Sequence, residues 1–107
     1  MNNESALTEA TYFILLSLVE PRHGYGIMQQ AEALSAGRVR LAAGTLYGAL
    51  SALSDRGWIR LLPVAEGSRK KEYMLTEEGR RALRGELERL RELVACGDTV
   101  LGGSKDE

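Results

Sequence analysis

The run Tyr12-Phe13-Ile14-Leu15-Leu16-Ser17-Leu18-Val19 is apolar on almost every side of a helix, not along one stripe. A surface helix needs only about a 100° apolar face, so a helix of this kind must be covered on two sides. A bilayer is excluded as the cover, because spanning one takes roughly 20 apolar residues. The helix must therefore lie between two protein layers. Its start is marked by Thr8 as N-cap, Glu9 in the first turn, and Leu7 and Tyr12 at the spacing of a hydrophobic staple. Pro21 stops it, which predicts a helix over residues 8–20. With 107 residues in all, the chain is long enough for one domain only. Domains of this size often gain stability by pairing with a second copy.

The turn His23-Gly24-Tyr25-Gly26 leads into a second helix over about 25–35, closed near Gly37. A third helix follows over about 44–56 and ends at Gly57. Its buried face is Leu46, Leu50 and Leu53, and its other face is slim, with Thr45, Gly48, Ser51, Ala52 and Asp55 beside the single large group Tyr47. A helix that enters a nucleic-acid groove benefits from that profile. Residues 58–62 and 71–75 are short, branched and aromatic, separated by Pro63, Gly67 and Ser68, and read as a β-hairpin with Arg69, Lys70 and Lys71 at the far side of its tip. Thr76 then caps a fourth helix with Glu77 and Glu78 at its positive end, although Gly79 stands where a capping box would place Glu or Gln. Leu83, Leu87, Leu90 and Val94 repeat at heptad spacing over about two heptads, too short a seam to stand alone. The tail from residue 97 is expected to be disordered. The fold class is thus mainly α with a small β-hairpin, a winged helix-turn-helix followed by a C-terminal helix.

Charge and chemistry narrow the function. The net charge is −1, yet residues 22–71 carry eight basic side chains against three acidic ones, so the middle of the chain can face phosphate while its ends face water. One His, one Cys and no phosphate-binding glycine loop leave no catalytic or metal set, so neither an enzyme nor a bound cofactor is expected. His23 is read as a turn residue with a local hydrogen bond and Trp58 as a packing residue under the hairpin or a platform for a flat ligand. The lone Cys96 suits a reducing compartment, and Glu4, Glu9 and Glu20 give no basic leader, so a cytoplasmic protein is expected.

Particular residues, beyond the element order, resemble the PadR family. They are His23-Gly24-Tyr25, then Gly44-Thr45-Leu46-Tyr47 with Ala49-Leu50, then Gly57-Trp58-Ile59, and last Lys71-Glu72-Tyr73-Met74-Leu75-Thr76-Glu77-Glu78-Gly79, in the family's order and spacing across about 10–95. The single C-terminal helix resembles the short PadR subclass. Ala42 stands where many members have Ser, and Gly48 where Pro commonly follows the Tyr. The resemblance implies a homodimer that binds a double-stranded DNA operator, with a possible small-molecule effector between protomers and no membrane. Tyr47 then meets a phosphate or packs in the core, Tyr25 has the same two readings, and Thr45 is an N-cap, a DNA contact or both. Gly44 and Ser51 complete the groove-facing surface, and Arg69, Lys70 and Lys71 meet the backbone as a wing. Arg38 and Arg40 either join them or pair with Glu32 or Asp55. Dimerisation would use Tyr12, Leu16, Leu83, Leu87, Leu90 and Val94. The domain layout is an extension over 1–7, a winged helix over 8–76, a dimerisation helix over 77–96 and a tail over 97–107. The competing function is a winged-helix module that docks another protein and never binds DNA.

Overall fold

The computed structural model describes residues 6–64, 66–67 and 70–102. Four helices and three short strands follow the order α1 (Glu9–Ser17), β1 (Arg22–His23), α2 (Gly24–Leu34), α3 (Ala43–Asp55), β2 (Ile59–Leu61), β3 (Glu72–Leu75) and α4 (Glu77–Leu101).

Helix α1 sits between α2 and α4, which covers the two faces its sequence requires. Ile14, Leu15 and Leu18 are buried with Ile27 of α2, Leu46, Leu50 and Leu53 of α3, Ile59, Leu75 and Leu83 in one core. Thr8 caps the helix by accepting from the Thr11 amide at 3.1 Å. The helix ends at Ser17, earlier than the Pro21 signal suggests. Two contacts hold that end: the Ser17 hydroxyl donates back to the Phe13 carbonyl at 2.8 Å, and the Leu75 amide donates to the Leu18 carbonyl at 3.0 Å.

Three strands form the sheet where the sequence announces two. The order is β1-β3-β2, all antiparallel, with Arg22 opposite Tyr73, His23 opposite Glu72, and Ile59, Arg60 and Leu61 opposite Leu75, Met74 and Tyr73. The added strand β1 is two residues long, and the pairing with β3 defines it.

Helix α2 closes in a Schellman motif, in which the Gly37 amide donates to the Glu32 carbonyl at 2.8 Å and the Ala36 amide to that of Ala33 at 3.2 Å. The left-handed residue just past the cap is Ala36, at φ 55°, a position more often held by glycine. Helix α3 begins at Ala43, and its N-cap Ala42 supplies no side-chain hydrogen bond. Thr45 lies inside the helix and is therefore not its N-cap, which corrects that expectation.

Helix α4 also departs from expectation. It continues to Leu101, so residues 97–101, expected to be disordered, are helical; 103–107 lie outside the described residues, as do 1–5 of the N-terminal extension. Thr76 caps α4 by accepting from the Gly79 amide at 3.0 Å while donating to the Gly57 carbonyl at 2.6 Å. The incomplete capping box now has a reason: a Cβ on Gly79 would collide with the Trp58 carbonyl oxygen and come within 2.8 Å of its carbon. The first turn of α4 thus rests directly on the backbone entering β2.

Candidate nucleic-acid interface

Helix α3 presents one flank to the core through Leu46, Leu50 and Leu53 and leaves Gly44, Thr45, Tyr47, Gly48, Ser51 and Ala52 exposed. Its Tyr47 ring is turned toward the first turn of α2. The contact is so close that a Cβ on Gly24 would meet the phenol oxygen and lie 2.8 Å from Cζ. Gly24 is therefore required by the seat of Tyr47, which explains a glycine at the first position of a helix.

At the other side of that seat stands the tip-side end of β3. His23, Gly24, Tyr25, Tyr47, Lys70, Lys71 and Tyr73 line one concavity of about 430 Å³. Three segments far apart in the chain, the start of α2, the first half of α3 and the entry to β3, are brought together there. Tyr25 and Tyr47 are 63% and 50% exposed, so neither is a core aromatic. The His23 side chain fixes the local backbone: Nδ1 accepts from the Gly26 amide at 3.2 Å, the local hydrogen bond expected of it. A second hollow of about 270 Å³ continues between α3 and the wing, lined by Tyr47, Leu50, Ser51, Ser54, Asp55, Leu61 and Tyr73. Tyr73 borders both hollows, and sequence reasoning gave it no role beyond a strand position. Alternation along residues 71–75 was the available signal, since it sets Tyr73 on the face opposite Met74.

Arg38, Arg40 and Arg56 make contacts of their own. Arg38 grips Glu9 at the start of α1 with two hydrogen bonds of 2.6 and 3.0 Å, in place of Glu32 or Asp55, and the pairing holds the Glu9 carboxyl below the usual glutamate range. Arg40 lies 3.5 Å from Glu32, one of the two carboxylates expected for it. Arg56 stacks its guanidinium over Trp58, 4.4 Å from the ring centroid, on the side facing α4. Arg69 lies outside the described residues.

The residues named for dimerisation divide into two kinds. Leu83 belongs to the core, and Leu90 and Tyr12 are half-buried. Beyond them the helix exposes Leu87, Leu93, Val94, Val100 and Leu101. Tyr12, Leu16, Leu83 and Leu87 border one shallow hollow between α1 and α4, and Tyr12, Phe13 and Leu90 border another. Among the described residues no three His, Cys, Asp or Glu side chains gather as a metal set, and no helix is long and apolar enough to cross a membrane.

Comparison with known proteins matches residues 14–85 to the model of the transcriptional regulator PadR-like family. A PadR family transcription regulator of Clostridium difficile shares 25% identity and superposes with a TM-score of 0.69, covering 85% of this chain and 97% of that one. Bacillus subtilis PadR, solved in complex with operator DNA, shares 28% identity at a TM-score of 0.61 over 72% of this chain and 45% of its own. An uncharacterized 37.1 kDa protein of a Streptomyces fradiae transposon is 37% identical over 79 residues, which are 73% of this chain and 22% of that protein. The chain therefore spans about a fifth of the curated relative it matches.

Proposed function

The chain belongs to the PadR-like family of transcriptional regulators, and on that premise we propose that it is a homodimeric repressor that binds an inverted-repeat operator and is released by a small molecule. Members of the family are regulators and not enzymes, so the surfaces are read for binding. The observation that carries the reading is the concavity in which Tyr25, Tyr47, Lys70 and Lys71 converge beside the exposed flank of α3. Two phenols that can donate and two lysines form a surface suited to phosphate oxygens, while the adjoining slim helix fits the major groove. The relative from Bacillus subtilis, solved with operator DNA, supports the same use of the fold.

The dimer reading rests on α4. Leu87, Leu90 and Val94 continue the seam that Leu83 begins inside the core, and Leu93, Val100 and Leu101 extend the apolar exposure to the end of the helix. A second copy laid along α4 and the outer side of α1 would cover them. Two such protomers would set their α3 helices about 34–36 Å apart, which makes the operator an inverted repeat. The effector would enter the hollows flanking α1 and α4, where Tyr12 offers a ring to a flat molecule. A change in α4 pairing would then alter the α3 spacing.

The test is a titration of a labelled promoter fragment from upstream of the protein's own reading frame, at several salt concentrations, with the Lys70→Gln/Lys71→Gln double variant beside the parent. We expect the variant to weaken operator and random DNA alike and to flatten the salt slope by about 0.9 for each phosphate that is no longer neutralised. Unchanged affinity and slope would remove the wing from the DNA and favour the protein-docking function. Light scattering of the parent and of Leu87→Lys checks the dimer, since a lysine in that seam would be desolvated without a partner.

A further inference from the structure

The outer flank of α3 holds no arginine, lysine, asparagine or glutamine anywhere between Ala43 and Asp55. Those four are the side chains that make bidentate contacts to guanine or adenine in the major groove. What the helix offers is Ala43, Gly44, Thr45, Gly48, Ser51 and Ala52, all exposed. Tyr47 is exposed too, but it is turned aside onto Gly24. The nearest arginine, Arg56, is stacked on Trp58 toward α4. Asp55, which could accept from cytosine, sits in the last turn of α3, beside the wing.

The smallness of this flank is not a demand of the fold. A Cβ on Gly44 or Gly48 would meet nothing within 4 Å. Each glycine costs a helix roughly 1 kcal/mol relative to alanine, so two of them on an open flank are unexplained by internal packing. They do allow the helix backbone to approach a groove floor more closely than an ordinary helix can. The groups that would then arrive at the base edges are the methyls of Ala43, Ala52 and Thr45 and the single hydroxyls of Thr45 and Ser51. The base-edge feature that suits a methyl-rich surface is the C5-methyl of thymine.

Resting on the DNA-binding reading above, we propose that this protein discriminates its operator through thymine methyl groups packed against the outer flank of α3, without hydrogen-bond readout of guanine. Phosphate contacts from the wing remain blind to sequence. The operator half-site that α3 faces is accordingly thymine-bearing and indifferent to the N7 acceptors of guanine.

The experiment selects duplexes with the full chain from a library whose random core is about 30 base pairs, enough for two half-sites one helical turn apart. The winning sequence is then made in three forms: unmodified, with deoxyuridine for every thymidine in the core, and with 7-deazadeoxyguanosine for every deoxyguanosine. Deoxyuridine removes only the methyl, and the deaza base removes only N7. We expect deoxyuridine to weaken binding about four-fold for each methyl buried, hence about fifteen-fold for one in each half-site, while the deaza form binds like the unmodified duplex. A larger loss with the deaza base than with deoxyuridine overturns the proposal. Binding that is salt-dependent yet enriches no sequence also overturns it, while leaving the DNA reading intact. Failure to bind any duplex at low salt overturns the DNA reading itself.

Discussion

Replacing Gly24 by alanine separates the stability of the fold from the geometry of the surface proposed to face DNA. The new Cβ would meet the Tyr47 phenol oxygen and lie 2.8 Å from Cζ, so the ring must leave its seat. Tyr47 is 50% exposed, so it can swing into solvent for about 0.5–1.5 kcal/mol of rotamer strain. Gly24 is not at positive φ, and a Gly-to-Ala change at a compatible position stabilises by about 0.4–1 kcal/mol through the unfolded chain. The two effects nearly offset, and the melting temperature should hardly move. Affinity should fall far more. A hydrogen bond to a charged phosphate contributes at least about 1.5 kcal/mol, and the proposed dimer would lose two, which is roughly a hundred-fold in Kd. Because no cation is removed, the salt slope should stay as it was. Tyr47→Phe should lose a similar amount, and the Gly24→Ala/Tyr47→Phe pair should lose no more than either single change, since both act on one hydrogen bond. Fluorescence anisotropy with operator DNA and thermal melts followed by circular dichroism give the two readouts. Parental affinity for Gly24→Ala, or single losses that add in the pair, would refute the reasoning.

Gly79→Ala should act in the opposite sense, destabilising by about 1–3 kcal/mol in urea melts, because its Cβ would strike the backbone of Trp58, which cannot turn aside. Ala36→Gly should raise stability by about 0.5–1 kcal/mol in the same assay, since it removes a side chain from a left-handed position at φ 55°. Glu86 is buried and is held below the usual glutamate range chiefly by hydrogen bonds from Arg89, at 2.6 and 2.9 Å, with the Leu7 amide assisting. A carboxylate with a lowered folded pKa contributes stability that is present above its unfolded pKa and lost as pH falls through the folded one. Glu86→Gln should therefore be less stable than the parent at neutral pH, and the difference should shrink in acid, as checked by melts from pH 7 downward.

Most of the architecture could be read from local signals. Thr8 and Thr76 each stand three residues before an amide they cap, and that spacing is visible without any knowledge of the fold. The features that local signals do not show depend on partners distant in sequence. Arg22 and His23 carry no strand pattern and become β1 only because Tyr73 and Glu72 run beside them. Arg38 finds Glu9 twenty-nine residues away. Gly97 looks like a helix stop, yet α4 passes through it, since one glycine costs a long helix about 1 kcal/mol and cannot end it alone. For the surface proposed to face DNA the sequence points to Tyr25, Tyr47, Lys70 and Lys71, and the structure brings them to one hollow. It could not show that Gly24 exists to seat Tyr47, because that contact joins two helices.

The joint between Thr76, Gly57, Gly79 and Trp58 has a mechanical consequence. Helix α4 and the root of the wing are fastened by the Thr76 hydroxyl on the Gly57 carbonyl and, backbone to backbone, by the Thr76 amide on the Trp58 carbonyl at 2.9 Å and by Gly79 seated on that same peptide. Two of these three fastenings are between main chains and the third comes from a short side chain, so the start of the helix and the root of the wing are expected to turn as one lever. At 1.5 Å per residue the 25 residues of α4 make an arm of roughly 37 Å. A rotation of about 5° at the joint moves the far end of such an arm by about 3 Å. Conversely, whatever grips the far end of α4 sets the pitch of the wing without having to touch it.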